Sequence, residues 1–140
     1  MTLARDVVEA ARSFIGVAYR HQGRTRAGLD CIGLNVAIAI QLHLPAHDFS
    51  AYAPTPDPVA LLREVSKGMD SVATRDGLAP GHSLMFRLTA HGPPQHFAIL
   101  TEDGTMVHAL STTGSVVEVT FDRMWQRLLC GAWAFKGVEY

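Results

Sequence analysis

The sequence predicts an α+β fold in which N-terminal helices, one of them central and buried, pack against an antiparallel β-sheet. Helical spacing of apolar residues dominates the first half of the chain, from Thr2 to Gly68. Strand-like apolar runs, separated by turn residues, follow from Ser83 onwards. The chain has 140 residues, enough for one core, so residues 1–140 are expected to form a single domain.

The first element is predicted to be an amphipathic helix over residues 2–15. Its apolar residues recur every three or four positions and therefore share one face. These residues are Leu3, Val7, Ala11 and Phe14. Gly16 is typical of a residue that ends a helix, and a loop rich in Gly and Arg then spans residues 16–30.

The second element, from Cys31 to Leu44, is apolar on every side, which is typical of a helix buried at the centre of a domain. Asp30 stands where an N-cap would, so Cys31 is expected to be the first helical residue. Pro45 is expected to stop this helix.

A third helix and five strands complete the prediction. After a coil over residues 46–57, Asp57 and Pro58 form a typical helix start, and apolar spacing carries the helix to Gly68. Apolar runs bounded by turn residues predict strands over residues 83–88, 96–101, 105–110, 115–120 and 129–135. A helical turn is expected over residues 121–128.

The composition excludes several classes of function. The formal net charge is −1 at pH 7, whereas a nucleic-acid binder or a polybasic membrane binder carries a clear positive excess. No apolar run reaches the roughly 20 residues of a transmembrane helix, so membrane insertion is not expected. Charged residues interrupt the first fifteen positions, so no secretory signal is expected; the protein is predicted to stay in the cytosol or leave it within a larger assembly.

Cys31 is a candidate nucleophile. A thiol attacks as its thiolate, and the dipole at a helix N-terminus, where Cys31 is predicted to lie, lowers the thiol pKa. From position alone, a buried structural cysteine is an equally good interpretation. Cys130 lies in a late apolar strand and is expected to pack as a small hydrophobic residue. A single disulfide between the two cysteines stays open.

His96 and His108 are candidates for a general base and its partner, because each lies inside an apolar strand. A single strand histidine is more often a core residue, so the intervening turn matters. A two-residue turn places the two side chains on opposite faces. A three-residue turn, with Gly104 in the left-handed conformation, pairs Ala98 with His108 and places both histidines on one face. The catalytic interpretation requires the three-residue turn.

Two blocks of the sequence resemble the NlpC-like cysteine endopeptidases, which cut peptidoglycan stem peptides. The first block reads G-x-x-Y, a loop with a glycine, and D-C-x-G; it comprises Gly16, Tyr19, Gly23, Asp30, Cys31 and Gly33. The second reads H-x-x-I, a turn with a glycine, and H-A; it comprises His96, Ile99, Gly104, His108 and Ala109. Both intervals match the family, from Tyr19 to Cys31 and from His96 to His108.

The resemblance implies a papain-like fold whose central helix carries Cys31 against a sheet carrying His96 and His108. It implies that Cys31 is the nucleophile, His96 the general base and His108 the residue that orients His96. It also places the Tyr19 hydroxyl near the oxyanion. No cofactor is implied: Cys31, His96 and His108 are suitable zinc ligands, but their spacing matches no zinc motif.

Asp30, Arg20 and Arg24 are predicted to bind substrate. The two arginines crowd the loop before Cys31, and Arg binds carboxylates, which peptidoglycan stems carry, through its planar fork. A solvated loop or a contact with a partner protein is the alternative interpretation of these arginines.

The strings YRHQG and DCIGL, in a lone domain of this length, are similar to peptidases of phage tails and of phage-like gene transfer particles. Such enzymes open the cell wall locally. This similarity implies assembly in the host cytoplasm, a place in the virion tail and tail-tip hub or baseplate proteins as partners. An injected interbacterial amidase effector of related fold and a structural tail-tip component with weak or masked activity are the alternatives.

Overall fold

The computed structural model describes residues 1–140 and has the predicted α+β architecture. In chain order the elements are β1 (Thr2–Leu3), α1 (Ala4–Ser13), β2 (Arg24–Thr25), β3 (Gly28–Leu29), α2 (Cys31–Gln41), α3 (Pro58–Gly68), β4 (Met69–Val72), β5 (Ser83–Arg87), β6 (Pro94–Leu100), β7 (Thr105–Ala109), β8 (Val116–Thr120), α4 (Arg123–Leu128), β9 (Leu129–Phe135) and β10 (Val138–Glu139). Every predicted helix and strand has a counterpart among them. None of the helices combines the length and apolar character that spanning a membrane requires.

Six strands form one sheet in the order β4–β9–β5–β6–β7–β8, and all neighbours are antiparallel. The edge strand β4 was not predicted, because only its first residue is buried and its polar middle resembles a loop. Two short pairs were also missed. Strand β1 pairs in parallel with β10, and β2 pairs with β3 within the loop that precedes α2.

Helix α2 begins as predicted but ends earlier. Asp30 is its N-cap, and the Asp30 carboxylate accepts a hydrogen bond from the Gly33 N–H at 2.7 Å. The helix ends at Gln41 because His43 turns into the left-handed region, with a φ of 57°. The Leu44 N–H then donates to the Ala39 carbonyl at 2.8 Å, the contact that closes a Schellman motif. Pro45 therefore follows the helix end and does not cause it.

The sheet has an apolar layer on each face. Helices α1, α2 and α3 share the larger core with one face, which includes Phe97, Ile99 and Val107 of strands β6 and β7. Helix α4 covers the opposite face, where a smaller cluster is built on the alternate strand residues, among them Ala98 and Met106. His96 and His108 lie two residues from Ala98 and Met106 on the same strands, so they are on the same face as these two residues.

Arg12 ties helix α1 to the β6–β7 hairpin. Its guanidinium donates to Glu102 at 2.7 Å and to Asp103 at 2.8 Å, both in the turn. It also donates to Glu118 of β8 at 3.0 Å. This network attaches the hairpin that carries both histidines to the helical layer.

Candidate active site

The β6–β7 turn has three residues, and Gly104 adopts the left-handed conformation with a φ of 71°. Ile99 lies opposite Val107, which is the register that this turn requires. His96 and His108 therefore share one face, and His96 Nε2 lies 2.7 Å from His108 Nδ1. Of the two turns that the sequence allowed, the structure has the three-residue turn, which the catalytic interpretation requires.

A cleft of about 410 Å³ opens where β6 and β7 separate. The two strands are paired only at Ile99–Val107 and Leu100–Met106, so they diverge toward the histidine end. The cleft walls come from the start of α2, the coil that ends at Pro56, the start of β6 and the chain after β7. This volume lies within the range of small-ligand and short-peptide pockets.

Cys31 and His96 both line this cleft. Cys31 is partly exposed as the first residue of α2, and its Sγ lies 3.8 Å from the carbonyl oxygen of Gln95. The resting thiol thus donates to the residue that precedes His96. Catalytic hydrogen bonds are often long or misaligned without substrate and tighten only in the complex.

The environment favours the neutral forms of the thiol and of both imidazoles. Burial, together with the nearby Asp30 carboxylate, raises the pKa of Cys31 to about 12. Burial lowers the pKa of His96 to about 3, with a smaller contribution from His108, and lowers that of His108 to about 4. The backbone N–H groups at the helix start do act to lower the Cys31 pKa, as expected from its position, but burial outweighs them and the net shift is upward. In this arrangement the thiol becomes a nucleophile by passing its proton to an imidazole during attack.

Tyr19 lies in the same cleft as Cys31. Burial, followed by the negative charges that Cys31 and Asp30 can carry, raises the Tyr19 pKa, so the phenol is protonated at neutral pH and can donate a hydrogen bond. Its backbone N–H donates to the Gly114 carbonyl at 2.9 Å, which fixes the residue against the loop between β7 and β8.

The Asp30 carboxylate joins three segments around the cleft. Besides capping α2, it accepts the Gln22 N–H at 2.8 Å, the Tyr52 hydroxyl at 2.6 Å and the Arg24 guanidinium at 3.3 Å. Asp30 is only 3% exposed, and these donors occupy its lone pairs. Binding of substrate by Asp30, as predicted, would require one of these donors to be displaced.

The structure does not bring the two arginines that were predicted to bind substrate into the cleft. The Arg24 guanidinium donates to Asp48 at 2.8 Å and to the Phe49 carbonyl at 2.6 Å, so it links two loops. Arg20 is exposed, and its stem packs beside Gly28 next to a separate surface depression. Their contact with substrate stays a prediction.

The sequence did not predict that three further residues would lie near the site. Gln95 holds the resting thiol, and Tyr52, within the predicted coil, contacts Asp30. Trp125, in α4, packs on His96 and His108, with ring centroids 5.8 and 5.4 Å away. These contacts are long-range in sequence, and no local pattern marks them.

Both cysteines are free, so the disulfide that the sequence left open does not form. Cys130 is half-buried in β9, and its Sγ lies 3.5 Å from the Met85 carbonyl oxygen. No group of three His, Cys, Asp or Glu side chains is arranged to hold a metal ion. Among the groups that line the cleft are the Cys31 thiol, the His96 imidazole and the Tyr19 phenol.

The fold and this cleft define the class of papain-like cysteine hydrolases, in which a thiol at a helix start faces a histidine carried by a sheet. The particular family follows from comparison. The sequence profile of the NlpC/P60 family matches residues 16–134, and the chain belongs to that family. Among curated proteins, a search found no significant match.

Solved structures of the family share the fold. An NlpC/P60 family protein from Bacillus cereus ATCC 10987 is 21% identical with a TM-score of 0.70, over 94% of this chain and 40% of that one. The NlpC/p60 domain of the peptidoglycan hydrolase SagA is 21% identical with a TM-score of 0.64, over 94% of this chain and 98% of that one. The peptidoglycan hydrolase RipB from Mycobacterium tuberculosis is 18% identical with a TM-score of 0.64, over 98% of this chain and 65% of that one. The chain thus spans less than half of the Bacillus cereus protein.

Proposed function

We propose that this protein is a cysteine endopeptidase that hydrolyses peptide bonds in peptidoglycan stem peptides. The observation that carries the proposal is the contact between His96 and His108 beside the cleft that Cys31 lines. Two solved structures with the same fold are those of proteins described as peptidoglycan hydrolases, SagA and RipB. Membership of the NlpC/P60 family supports peptidoglycan as the substrate class. The thiol and the imidazole that line the cleft support hydrolysis by a cysteine nucleophile.

The proposed mechanism is acyl transfer through the thiol. His96 takes the Cys31 proton on Nδ1 as Sγ attacks the scissile carbonyl carbon, and the Tyr19 hydroxyl donates to the oxyanion. His108 Nδ1 accepts the His96 Nε2–H and stabilises the imidazolium. His96 then protonates the leaving amine, and the C–N bond breaks to give the acyl-enzyme. Water, deprotonated by His96, hydrolyses the thioester and restores the thiol.

The proposed setting is the tail tip of a phage or of a phage-like particle assembled in the host cytoplasm, where residues 1–140 act as one catalytic domain. Hub or baseplate proteins would position the domain on the cell wall. The support is the similarity of the strings YRHQG and DCIGL to peptidases of such particles.

Digestion of purified peptidoglycan tests the activity. Wild type is compared with Cys31→Ala and with Cys130→Ala, which removes the other thiol. Mass spectrometry should show cleaved stem peptides with wild type and Cys130→Ala, and none with Cys31→Ala. Intact stems with wild type, or equal cleavage by Cys31→Ala, would refute the proposal.

The location is tested separately, by immunogold labelling of particles purified from a strain that encodes this chain. Gold at the tail tip is expected. Absence from particles, combined with toxicity when the chain is exported to the periplasm, would favour an injected effector instead.

A further inference from the structure

Trp125 lies over the histidine pair on the sheet face opposite α2. Its ring is tilted by 35° relative to His96 and is nearly perpendicular, at 88°, to His108. Asp122 caps the short helix α4 by accepting the Trp125 N–H at 3.1 Å. Phe86 packs edge-on against the indole with ring centroids 5.1 Å apart. The capping hydrogen bond thus holds the Trp125 backbone, and the Phe86 ring packs against its indole.

His108 has a buried ring nitrogen without a polar partner. The residue is only 1% exposed; Nδ1 contacts His96, and no oxygen or nitrogen lies within hydrogen-bond reach of Nε2. A buried polar atom in this state is costly unless something else satisfies it. The His96 imidazole contacts this ring at Nδ1, and the other aromatic group packed on it is the Trp125 indole, whose nearly perpendicular orientation allows an N–H edge to meet a π face.

The tautomers of the two histidines are coupled through their shared hydrogen bond. If His96 is to accept a proton on Nδ1, its own proton must be on Nε2 and must be donated to His108 Nδ1. His108 then carries its proton on Nε2. In the opposite arrangement, His108 donates from Nδ1, its Nε2 presents a lone pair, and His96 is blocked as a base.

We propose that Trp125 is a positioning residue whose π face receives the His108 Nε2–H and so selects the tautomer that leaves His96 Nδ1 free. An N–H edge is attracted to the electron-rich ring face, whereas a bare nitrogen lone pair is repelled by it. The indole therefore favours one of the two arrangements without touching substrate. The catalytic consequence rests on the proposed peptidase function, but the tautomer preference does not.

Two substitutions separate the π face from simple packing. Trp125→Phe keeps an aromatic face, and Trp125→Leu keeps an apolar side chain without one. Long-range ¹⁵N–¹H NMR spectra of the full chain, labelled at the histidine ring nitrogens, report which nitrogen of His96 and His108 is protonated. Thermal melts establish that both variants are folded.

Wild type and Trp125→Phe should show His96 and His108 both protonated on Nε2. Trp125→Leu should show a mixture of tautomers, with a roughly tenfold lower kcat and little change in KM for a stem-peptide substrate. Phe should retain most of the wild-type kcat. A single, unchanged tautomer in Trp125→Leu, with the kcat of the Phe variant, would overturn the proposal.

The two proposals can fail independently. A tautomer change in Trp125→Leu while wild type leaves peptidoglycan intact would refute the peptidase function and uphold the positioning role. Cleavage by wild type, together with the same histidine tautomers in all three proteins, would uphold the peptidase function and refute the positioning role of Trp125.

Discussion

His96 Nε2 lies 2.7 Å from His108 Nδ1, although the strands that carry these residues are no longer paired at that level. The register of the distant β6–β7 turn brings the two rings to one face, and Gly104 permits that turn through its left-handed conformation. The divergence of the strands opens the cleft beside the pair. One turn therefore places the imidazoles together, and His96 lines the same cleft as Cys31.

The buried histidines should make the fold sensitive to acid. An unfolded histidine, with a pKa of 6.5, takes up a proton below that pH, whereas folded His96 stays neutral until about pH 3. Stability is thus fully present above pH 6.5 and decreases as the pH falls toward 3. At pH 5 the loss from His96 is about 2 kcal/mol.

Urea unfolding of wild type at pH 7 and pH 5 checks this expectation. His96→Gln should lose less stability between the two values, because it has no proton to take up. His91→Gln, which removes an exposed histidine, should behave as wild type. An equally steep loss in all three proteins would contradict the assignment to His96.

The Cys31 thiol should react slowly with iodoacetamide at neutral pH. Its pKa of about 12 leaves little thiolate, so the rate should continue to rise up to at least pH 10. The measurement uses a Cys130→Ser background, because Cys130 is a second free thiol. Burial raises its pKa as well, so its labelling would follow a similar pH dependence. A rate that is already constant from pH 6.5 upwards would show an ionised thiol and contradict the neutral resting state.

This thiol illustrates where local sequence information ends. The N-cap Asp30 and the helix start at Cys31 depend on neighbouring residues, and both were predicted. The three-residue turn at Gly104 was one of two turns that the sequence allowed. The net rise of the Cys31 pKa was not predicted, because it comes from burial of the thiol in the folded chain, which local sequence does not reveal. The contact of Trp125 with the histidines depends in the same way on tertiary packing.

Asp30→Asn should destabilise the fold strongly. The amide cannot accept as many hydrogen bonds as the carboxylate and places an NH₂ group among donors, including the Gly33 N–H and the Tyr52 hydroxyl. The expected loss is about 3 kcal/mol in the free energy of unfolding. Asp48→Asn is the control, since Asp48 also pairs with Arg24 but is 52% exposed, and it should cost less than about 1 kcal/mol.

Tyr52→Phe separates the hydrogen bond to Asp30 from the packing of the ring. It removes only the hydroxyl that donates at 2.6 Å and should cost about 1 kcal/mol. Urea unfolding of these three variants gives the comparison. If Asp30→Asn were as mild as Asp48→Asn, the carboxylate would not be the centre that joins the loops to α2.

Tyr19→Phe should reduce kcat for stem-peptide cleavage by roughly 100-fold with KM nearly unchanged, as expected for loss of one oxyanion donor. The hydroxyl is protonated at neutral pH, and the ring lines the cleft beside Cys31. Tyr140→Phe is the matched control, because the Tyr140 hydroxyl donates to the Gly81 carbonyl, outside the cleft. That variant should lower the melting temperature and leave kcat intact. A Tyr19→Phe enzyme with wild-type kcat would assign oxyanion stabilisation to other donors, such as the backbone N–H groups of Phe97, Ile32 and Cys31 that interact with the thiol.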